Sequence, residues 1–425
     1  MKKILRKLVL LELKALARRR LKRFTGKIIA VTGSTGKTGT KDAIYAVLNT
    51  RFRVKTTKKS MNSEFGLPLT ILDIDSGFSS ATKWSWYLLK GFFHSFMRDH
   101  SDVLLLEMGV DKPGDMDFLL SIVKPDIAVF TNVAPVHLDE GQFKDLQEIF
   151  EEKSKLISAL GEKGIAVLNI DDDLVASIAK KRRGKRTVTF GKKREGDFWA
   201  GQVEQSLEGL HFVLHHDTAR HEVHSRVIGD CHVYMLLPAI ICGSLMDMEI
   251  ADVVEAIKLF SLPPGRMSVI PAINGATILD SSYNSSPVAL KEALLTLKVL
   301  GEKRRKVAVL GNMNELGKDS EKLHEGMAGA ICSCADVLIT VGKYAKLMAL
   351  KAVEKGFPES KVHHFNSPID AAEFFKDHIV KNDLILVKGS QNRVRLERFV
   401  KEIMAFPEDS RSLLVRQERV WSSKL

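Results

Sequence analysis

Cysteine is scarce in this chain of 425 residues: there are four, Cys231, Cys242, Cys332 and Cys334, with no C-x-x-C pair. That excludes a disulfide-stapled scaffold and the common zinc motifs, and it leads to the expectation of reduced thiols in a cytoplasmic protein. Long apolar runs are lacking too. The apolar stretch nearest the N-terminus is interrupted by Glu12 and Lys14, which speaks against a cleaved signal or a membrane span. Internal repeats and low-complexity tracts are also missing. Acidic residues are nearly absent from residues 1–27, where eleven Lys and Arg face Glu12 alone, so +10 of the chain's net +12 sits there. Because one short segment holds the excess, no nucleic-acid-binding face is expected on the globular body.

That segment also carries Ile4, Leu5, Leu8, Val9, Leu13, Leu16 and Leu21, and residues 1–26 read as a basic amphipathic helix. Two readings stay open. The helix is solvated and packs beside the first strand, or residues 1–24 rest peripherally on the inner face of an anionic membrane. A second unusual segment, residues 81–100, concentrates Trp84, Trp86, Tyr87, Phe92, Phe93 and Phe96; it reads as a helix whose aromatics fill a core, with a partner-facing or membrane-facing patch as the alternative.

With 45% hydrophobic and 27% charged residues, the chain can bury large cores and should divide into two or three domains. Short apolar runs at 28–32, 52–56, 102–106, 126–130 and 165–169, and again at 276–279, 306–310, 336–341 and 383–387, alternate with helix-length segments. This pattern specifies an α/β protein with parallel sheets and helical crossovers. The polar stretch 186–228, with alternating GLHFVLHH, suggests antiparallel strands, and Pro263, Pro264 and Gly265 mark a hinge. The expected organisation is an N-terminal helix over 1–26, a parallel-sheet domain with a small antiparallel section over 27–264, which the glycine-bracketed loop GSTGKT after its first strand marks as a P-loop ATPase domain, and a Rossmann-like α/β domain over 265–425.

Chemistry concentrates where apolar runs end. Lys27 to Lys41 reads KIIAVTGSTGKTGTK, a strand breaking into a glycine-bracketed loop that ends in Lys and Thr. Backbone N–H groups of Gly33, Ser34, Thr35, Gly36 and Lys37 can wrap phosphate oxygens, the Lys37 ammonium can reach terminal phosphates, and the Thr38 hydroxyl can ligate Mg2+. Val31 stands where the longer P-loop has its first glycine, so this is the shorter G-x-x-G-K-T form. DVLLLE ends in Glu107, a hard oxygen donor suited to Mg2+, and DIAVFTN is followed by His137. Lys153 falls inside the apolar stripe Leu146, Ile149, Phe150, Leu156, Ile157, Leu160. Spacing alone favours a snorkelling lysine there; a desolvated one would be neutral and able to take up CO2 as a carbamate. In the second half, strand ends present Asp280, Tyr283 and Asn284, then Asn312, Asn314 and Glu315, then Lys388, Gly389 and Ser390 with Arg393 beyond, a second ligand-facing surface. Histidines 211, 215, 216, 221, 224 and 232 fit no tight ligand spacing and read as surface strand residues.

Taken together, GSTGKT, TTKKSMNSEFGLPLTIL, LLLEMG, TNVAPVHL, LDSSYNSSP, VLGNMNELG and LVKGSQNRVRLE resemble the ordered motifs of the Mur ligase superfamily, and within it the MurF family, over about residues 27–402. The resemblance implies an ATP-dependent amide ligase of peptidoglycan synthesis, and so of cell shape and division, adding D-Ala-D-Ala to a UDP-muramyl-tripeptide through an acyl phosphate. It implies ATP and two Mg2+: Lys37 and Thr38 on phosphate and the first metal with Glu107, and His137 and a carbamylated Lys153 on the second. It implies that Asn284 faces the nucleotide, that Arg266 links the domains, and that Asn62, Asp280, Tyr283, Asn312, Glu315 and Lys388 serve substrate. Small-molecule nucleotide-sugar peptide and dipeptide substrates, and a monomer, are expected. The sequence departs from the family at Gly39, Ser60, Ser63 and GDCHVY, and only the basic helix precedes the loop where a uridine-binding domain is usual. Two readings compete: folylpolyglutamate- or cyanophycin-type ligation, which the Y-N-S-S-P and N-E-L-G motifs disfavour, and a non-catalytic ATP-binding scaffold at a membrane, which Glu107, His137 and Lys153 together disfavour.

Overall fold

The structure, a computed structural model, describes residues 2–57, 61–77, 80–136, 140–182, 184–391, 394–418 and 421. It forms two compact units, one of residues 1–202, 212–223 and 232–260 and the other of 203–211, 224–231 and 261–425.

The first unit is built on strands β1 (Lys27–Thr32), β2 (Val54–Thr56), β3 (Val103–Glu107), β4 (Ile127–Phe130), β5 (Ile165–Asn169) and β6 (Thr187–Gly191). They lie in the order β2-β3-β1-β4-β5-β6, all parallel. Both faces of such a sheet are covered, which is why β4 is apolar throughout, β3 is apolar up to Glu107, and both are buried along their whole length. The register sets Ile29 of β1 opposite Leu105 and Ile127. Since β1 leads to β2 on one side while β3 crosses over to β4 on the other, the carboxyl end of β1 lies at the topological switch point, where α/β sheets bind ligands.

β6 departs from the antiparallel expectation for 186–228. The helix Asp173–Lys181 provides a crossover, so Thr187–Gly191 joins β5 in parallel. β7 (Phe198–Ser206) pairs with β6 in parallel, and β8 (Gly209–His216) and β9 (Ala219–Ser225) then follow through two-residue connections, which only antiparallel neighbours allow. Their histidines stack on neighbouring rings: His215 on Trp199 at 3.7 Å, His216 on Phe198 at 3.8 Å, His211 on His224 at 4.5 Å.

Helix α1 (Lys2–Leu21) packs on α3 (Gly66–Leu72) and α4 (Ala81–Phe96), burying Leu13, Leu16 and Ala17; α2 (Lys37–Leu48) follows β1. The aromatic segment divides between two environments. Trp84 and Tyr87 pack on the core, whereas Trp86, Phe92, Phe93 and Phe96 are exposed, so the core reading holds for only two of the six. Among the described residues no helix is long and apolar enough to cross a membrane.

In the second unit β10 (Ser268–Pro271) runs antiparallel to β11 (Thr277–Ser281). β12 (Lys306–Gly311), β13 (Val337–Val341), β14 (Val362–Phe365) and β15 (Leu384–Lys388) complete a sheet ordered β10-β11-β15-β12-β13-β14, parallel beyond β10. Separate apolar cores cover its two faces, one containing Leu294 and Leu310, the other Ile339 and Phe399.

Candidate active site

The loop after β1 is held open by two glycines with different duties. Gly33 has φ +148°, and a Cβ there would stand 2.0 Å from the Thr131 hydroxyl, so close packing forbids a side chain. Gly36 has φ +77° with no atom within 4 Å of a Cβ; its requirement is conformational, and it leaves the approach to the first turn of α2 open. The end of β4 pins the loop. Thr131 Oγ donates to the Thr35 carbonyl at 2.9 Å, the Thr35 N–H donates to Asn132 Oδ1 at 2.9 Å, and the Ser34 N–H donates to the Asn132 carbonyl at 2.8 Å.

Lys37 opens α2 and donates from Nζ to the carbonyls of Gly33 at 2.9 Å and Ser34 at 3.2 Å. Burial lowers its pKa, with the charges of Glu107 and Asp111 pulling the other way. Thr38 follows, half-buried in the same turn. Glu107, at the end of β3, is 1% exposed; its Oε1 accepts from Asn62 Nδ2 at 2.8 Å, while Oε2 is buried with no hydrogen-bond partner among the described residues.

Lys153 does not snorkel. The helix Leu146–Ser158 turns it fully inward at 0% exposure, and its Nζ has no hydrogen-bond partner among the described residues. Burial first, then the Lys37 charge, drive its pKa well below the usual lysine value, against the attraction of Asp111 and Glu152. Burial therefore favours the neutral amine over the ammonium. Its neighbour Glu152 is engaged elsewhere, accepting from the Met116 N–H at 2.7 Å and from Lys155 at 2.6 Å. His137 lies outside the described residues. The structure thus gathers the loop, Lys37, Glu107, Asn62 and Lys153 at one end of the sheet.

These donors suit Mg2+ in part. An orphaned carboxylate oxygen at Glu107 and a hydroxyl at Thr38 are hard oxygen ligands, whereas an amine at Lys153 is not and would need conversion to a carbamate. Among the described residues no cluster of three or more His, Cys, Asp or Glu forms a ready metal site.

A second polar cluster occupies the strand ends of the other unit. Lys388 Nζ donates to the Asn284 carbonyl at 3.0 Å and to Ser281 Oγ at 3.2 Å, and burial brings its pKa down to about 8. Burial likewise pushes the Asp280 carboxyl up to about 6; its Oδ1 accepts from the Ser282 N–H and its Oδ2 has no partner among the described residues. The Arg266 guanidinium lies 4.4 Å from the Tyr283 ring centroid. Asn312 is occupied structurally, its Oδ1 accepting the N–H groups of Tyr344 and Ala345, and Glu315 is exposed with φ +62°.

The middle domain of the Mur ligases matches residues 31–243, and the Mur ligase glutamate ligase domain matches residues 265–391. The chain belongs to the Mur ligase family. A UDP-N-acetylmuramoyl-tripeptide–D-alanyl-D-alanine ligase of Bacillus subtilis (strain 168) is 30% identical over 93% of this Mur ligase and 79% of its own length. One of the same name from Mycobacterium tuberculosis (strain ATCC 25618 / H37Rv) is 34% identical over 76% of this chain and 60% of its own. Among solved structures, the MurF ligase of Thermotoga maritima in complex with ADP is similar with a TM-score of 0.77 at 26% identity, covering 95% of this chain and 84% of that one.

Several residues of this Mur ligase escaped the sequence reading. Asp111, four residues past Glu107, is a charge felt by both Lys37 and Lys153; its distance from the strand end was the available signal. Asn132, visible as a strand-end residue, turns out to brace Thr35. The buried triad Arg395–Glu397–Arg416, whose Arg416 also donates to the Tyr283 carbonyl at 2.6 Å, gave no signal, because its members look like ordinary surface charges in the sequence.

Proposed function

We propose that this Mur ligase uses ATP to join a dipeptide of the D-alanyl-D-alanine kind to the peptide carboxylate of a UDP-N-acetylmuramoyl-tripeptide, in cytoplasmic synthesis of cell-wall precursor. One observation carries the reading: a phosphate cradle with Lys37 lies beside two buried groups with orphaned atoms, Glu107 and Lys153, in a chain 30% identical to a ligase of that name. A substrate carboxylate oxygen attacks the γ-phosphorus and the bond to the leaving ADP oxygen breaks, giving an acyl phosphate. The dipeptide amine then attacks the acyl carbon; inorganic phosphate leaves and the amine sheds its proton.

The chain contributes position and charge. Backbone N–H groups of residues 33–38 and the Lys37 ammonium hold phosphate oxygens and offset charge developing on them. Thr38 and Glu107 would hold one Mg2+, and His137 with a carbamylated Lys153 a second. When bound, the metal shields phosphate charge. The depressed pKa of Lys153 supports the carbamate, since only the neutral amine attacks CO2, losing a proton as the N-carboxylate forms. Asn284 and Arg266 are assigned to the nucleotide, and Asn62, Asp280, Tyr283, Asn312, Glu315 and Lys388 to substrate or its surroundings. The working division is 1–26, 27–264 and 265–425, in a monomer whose residues 1–24 touch the membrane surface.

Phosphate release from ATP, with UDP-muramyl-tripeptide and D-Ala-D-Ala omitted in turn, tests the assignment. Release that requires both substrates supports it, and no release above background with both present overturns it. Rescue of Lys153→Ala by short carboxylates supports the carbamate; full activity without rescue removes it.

A further inference from the structure

We propose that α1 and α4 together form a docking face for an anionic lipid bilayer, with α4 supplying the anchor that the basic helix alone lacks. On α1, Ile4, Leu8 and Leu11 recur at helical spacing and are 68%, 58% and 50% exposed, opposite the buried Leu13, Leu16 and Ala17. On α4, Trp86, Leu89, Phe93 and Phe96 recur likewise at 63%, 51%, 60% and 46%, opposite Gly91 and Ser95, which face the core. Each helix therefore spends one stripe on the fold and presents a second, apolar stripe to solvent.

The two helices run side by side in the same direction. Arg6 sits over the Phe65 ring, which packs against Trp84 near the start of α4. A Cβ on Gly91 would stand 3.8 Å from a Leu16 methyl. Near the ends, the exposed Arg19 lies 4.7 Å over the exposed Phe96 ring, joining the stripes at that edge.

Charge identifies the occupant. Residues 1–27 carry +10, and residues 81–98 carry Lys83, Lys90 and Arg98 with no acid, so the remaining 380 residues together carry −1. The sequence's positive excess thus lies in and next to the two helices that carry the exposed aromatic and leucine stripes, with Arg6 paired to Glu64, Arg20 to Asp99 and Lys27 to Asp126. Aromatic and aliphatic side chains sinking to headgroup depth, with Lys and Arg stems reaching up to phosphates, is the arrangement of a helix lying in an anionic interface. A second copy would bring the same positive face against itself. The inference rests on and deepens the proposed membrane contact of residues 1–24; its failure would remove that contact and leave the ligase chemistry intact.

Flotation of the full chain with vesicles tests it. Phosphatidylglycerol vesicles are expected to bind at least about tenfold more protein than phosphatidylcholine vesicles at low salt, and to lose most of it in about 0.5 M salt. Both Trp86→Ser/Phe93→Ser and Lys90→Glu/Arg98→Glu should reduce binding by about tenfold while phosphate release in solution is unchanged. No binding to phosphatidylglycerol, equal binding to both lipids, or variants that bind like the parent would overturn it. So would a dimer that dissolves on Trp86→Ser/Phe93→Ser in a chain that ignores lipid.

Discussion

A single methyl group at position 33 should separate packing from conformation in the phosphate loop. The Cβ of Gly33→Ala would lie 2.0 Å from Thr131 Oγ, and 3.2 Å from the backbone N and O of Asn132. Thr131 is 2% exposed and its hydroxyl is committed to the Thr35 carbonyl at 2.9 Å, so it cannot swing aside without surrendering that bond. The lost hydrogen bond is worth about 1 kcal/mol. A side chain at φ +148° adds about 1–3 kcal/mol of strain. The sum is a destabilisation of about 2–4 kcal/mol. Gly36→Ala meets nothing within 4 Å and bears only the left-handed conformation, about 1 kcal/mol. Urea unfolding followed by tryptophan fluorescence should therefore rank Gly36→Ala well above Gly33→Ala. Adding Thr131→Ala to Gly33→Ala should recover about 1 kcal/mol relative to additivity, because the clashing hydroxyl is gone. Equal midpoints for the two glycine variants, or strict additivity in the double variant, would refute the packing argument.

Lys153→Met should fold at least as stably as the parent at pH 7, because it removes a buried amine with no hydrogen-bond partner among the described residues, yet reduce phosphate release by about a hundredfold. Its stability advantage has a defined pH course. The unfolded lysine holds its proton up to about 10.5 and the folded one releases it at lower pH, so the gap opens as pH falls below 10.5 and closes as pH rises towards it. A variant that is fully active, or that unfolds far below the parent, contradicts this. His324 is fully buried, donating from Nδ1 to the Ser320 carbonyl and accepting the Met313 N–H at Nε2 at 2.8 Å, which fixes the neutral tautomer; burial lowers its pKa. The unfolded chain takes up that proton first, so its contribution is complete above pH 6.5 and drains away as pH falls below it. Urea midpoints between pH 7.5 and 5 should fall less steeply in His324→Gln; an unchanged slope would mean another group is responsible.

The framework was readable because parallel strands buried on both faces are apolar up to their carboxyl ends, as in VLLLE and LILVK, and because a phosphate-binding loop follows a strand. Lys153 was readable as an anomaly of spacing, but its full burial was not: whether a lysine stem escapes to water depends on what covers the helix, here the helix Asp115–Leu120 and β4. The aromatic helix misled for the opposite reason. Periodicity shows that α4 has an apolar side, yet its exposed stripe and its packed stripe are both apolar, and only the partners α1 and α3 decide which is inside. β14 went unnoticed because VHHF is short and half polar, and the Arg395–Glu397–Arg416 triad because the Glu397–Arg416 pair is separated in sequence by the helices Glu397–Ile403 and Ser410–Leu413.

The most direct test of the central claim is isotope transfer during catalysis. With 18O in the acceptor carboxylate of UDP-muramyl-tripeptide, mass spectrometry should find one 18O in each inorganic phosphate released, and a peptide product enlarged by the dipeptide less one water. Phosphate free of 18O, or phosphate release with no such product, would contradict an acyl phosphate made at the Lys37 loop.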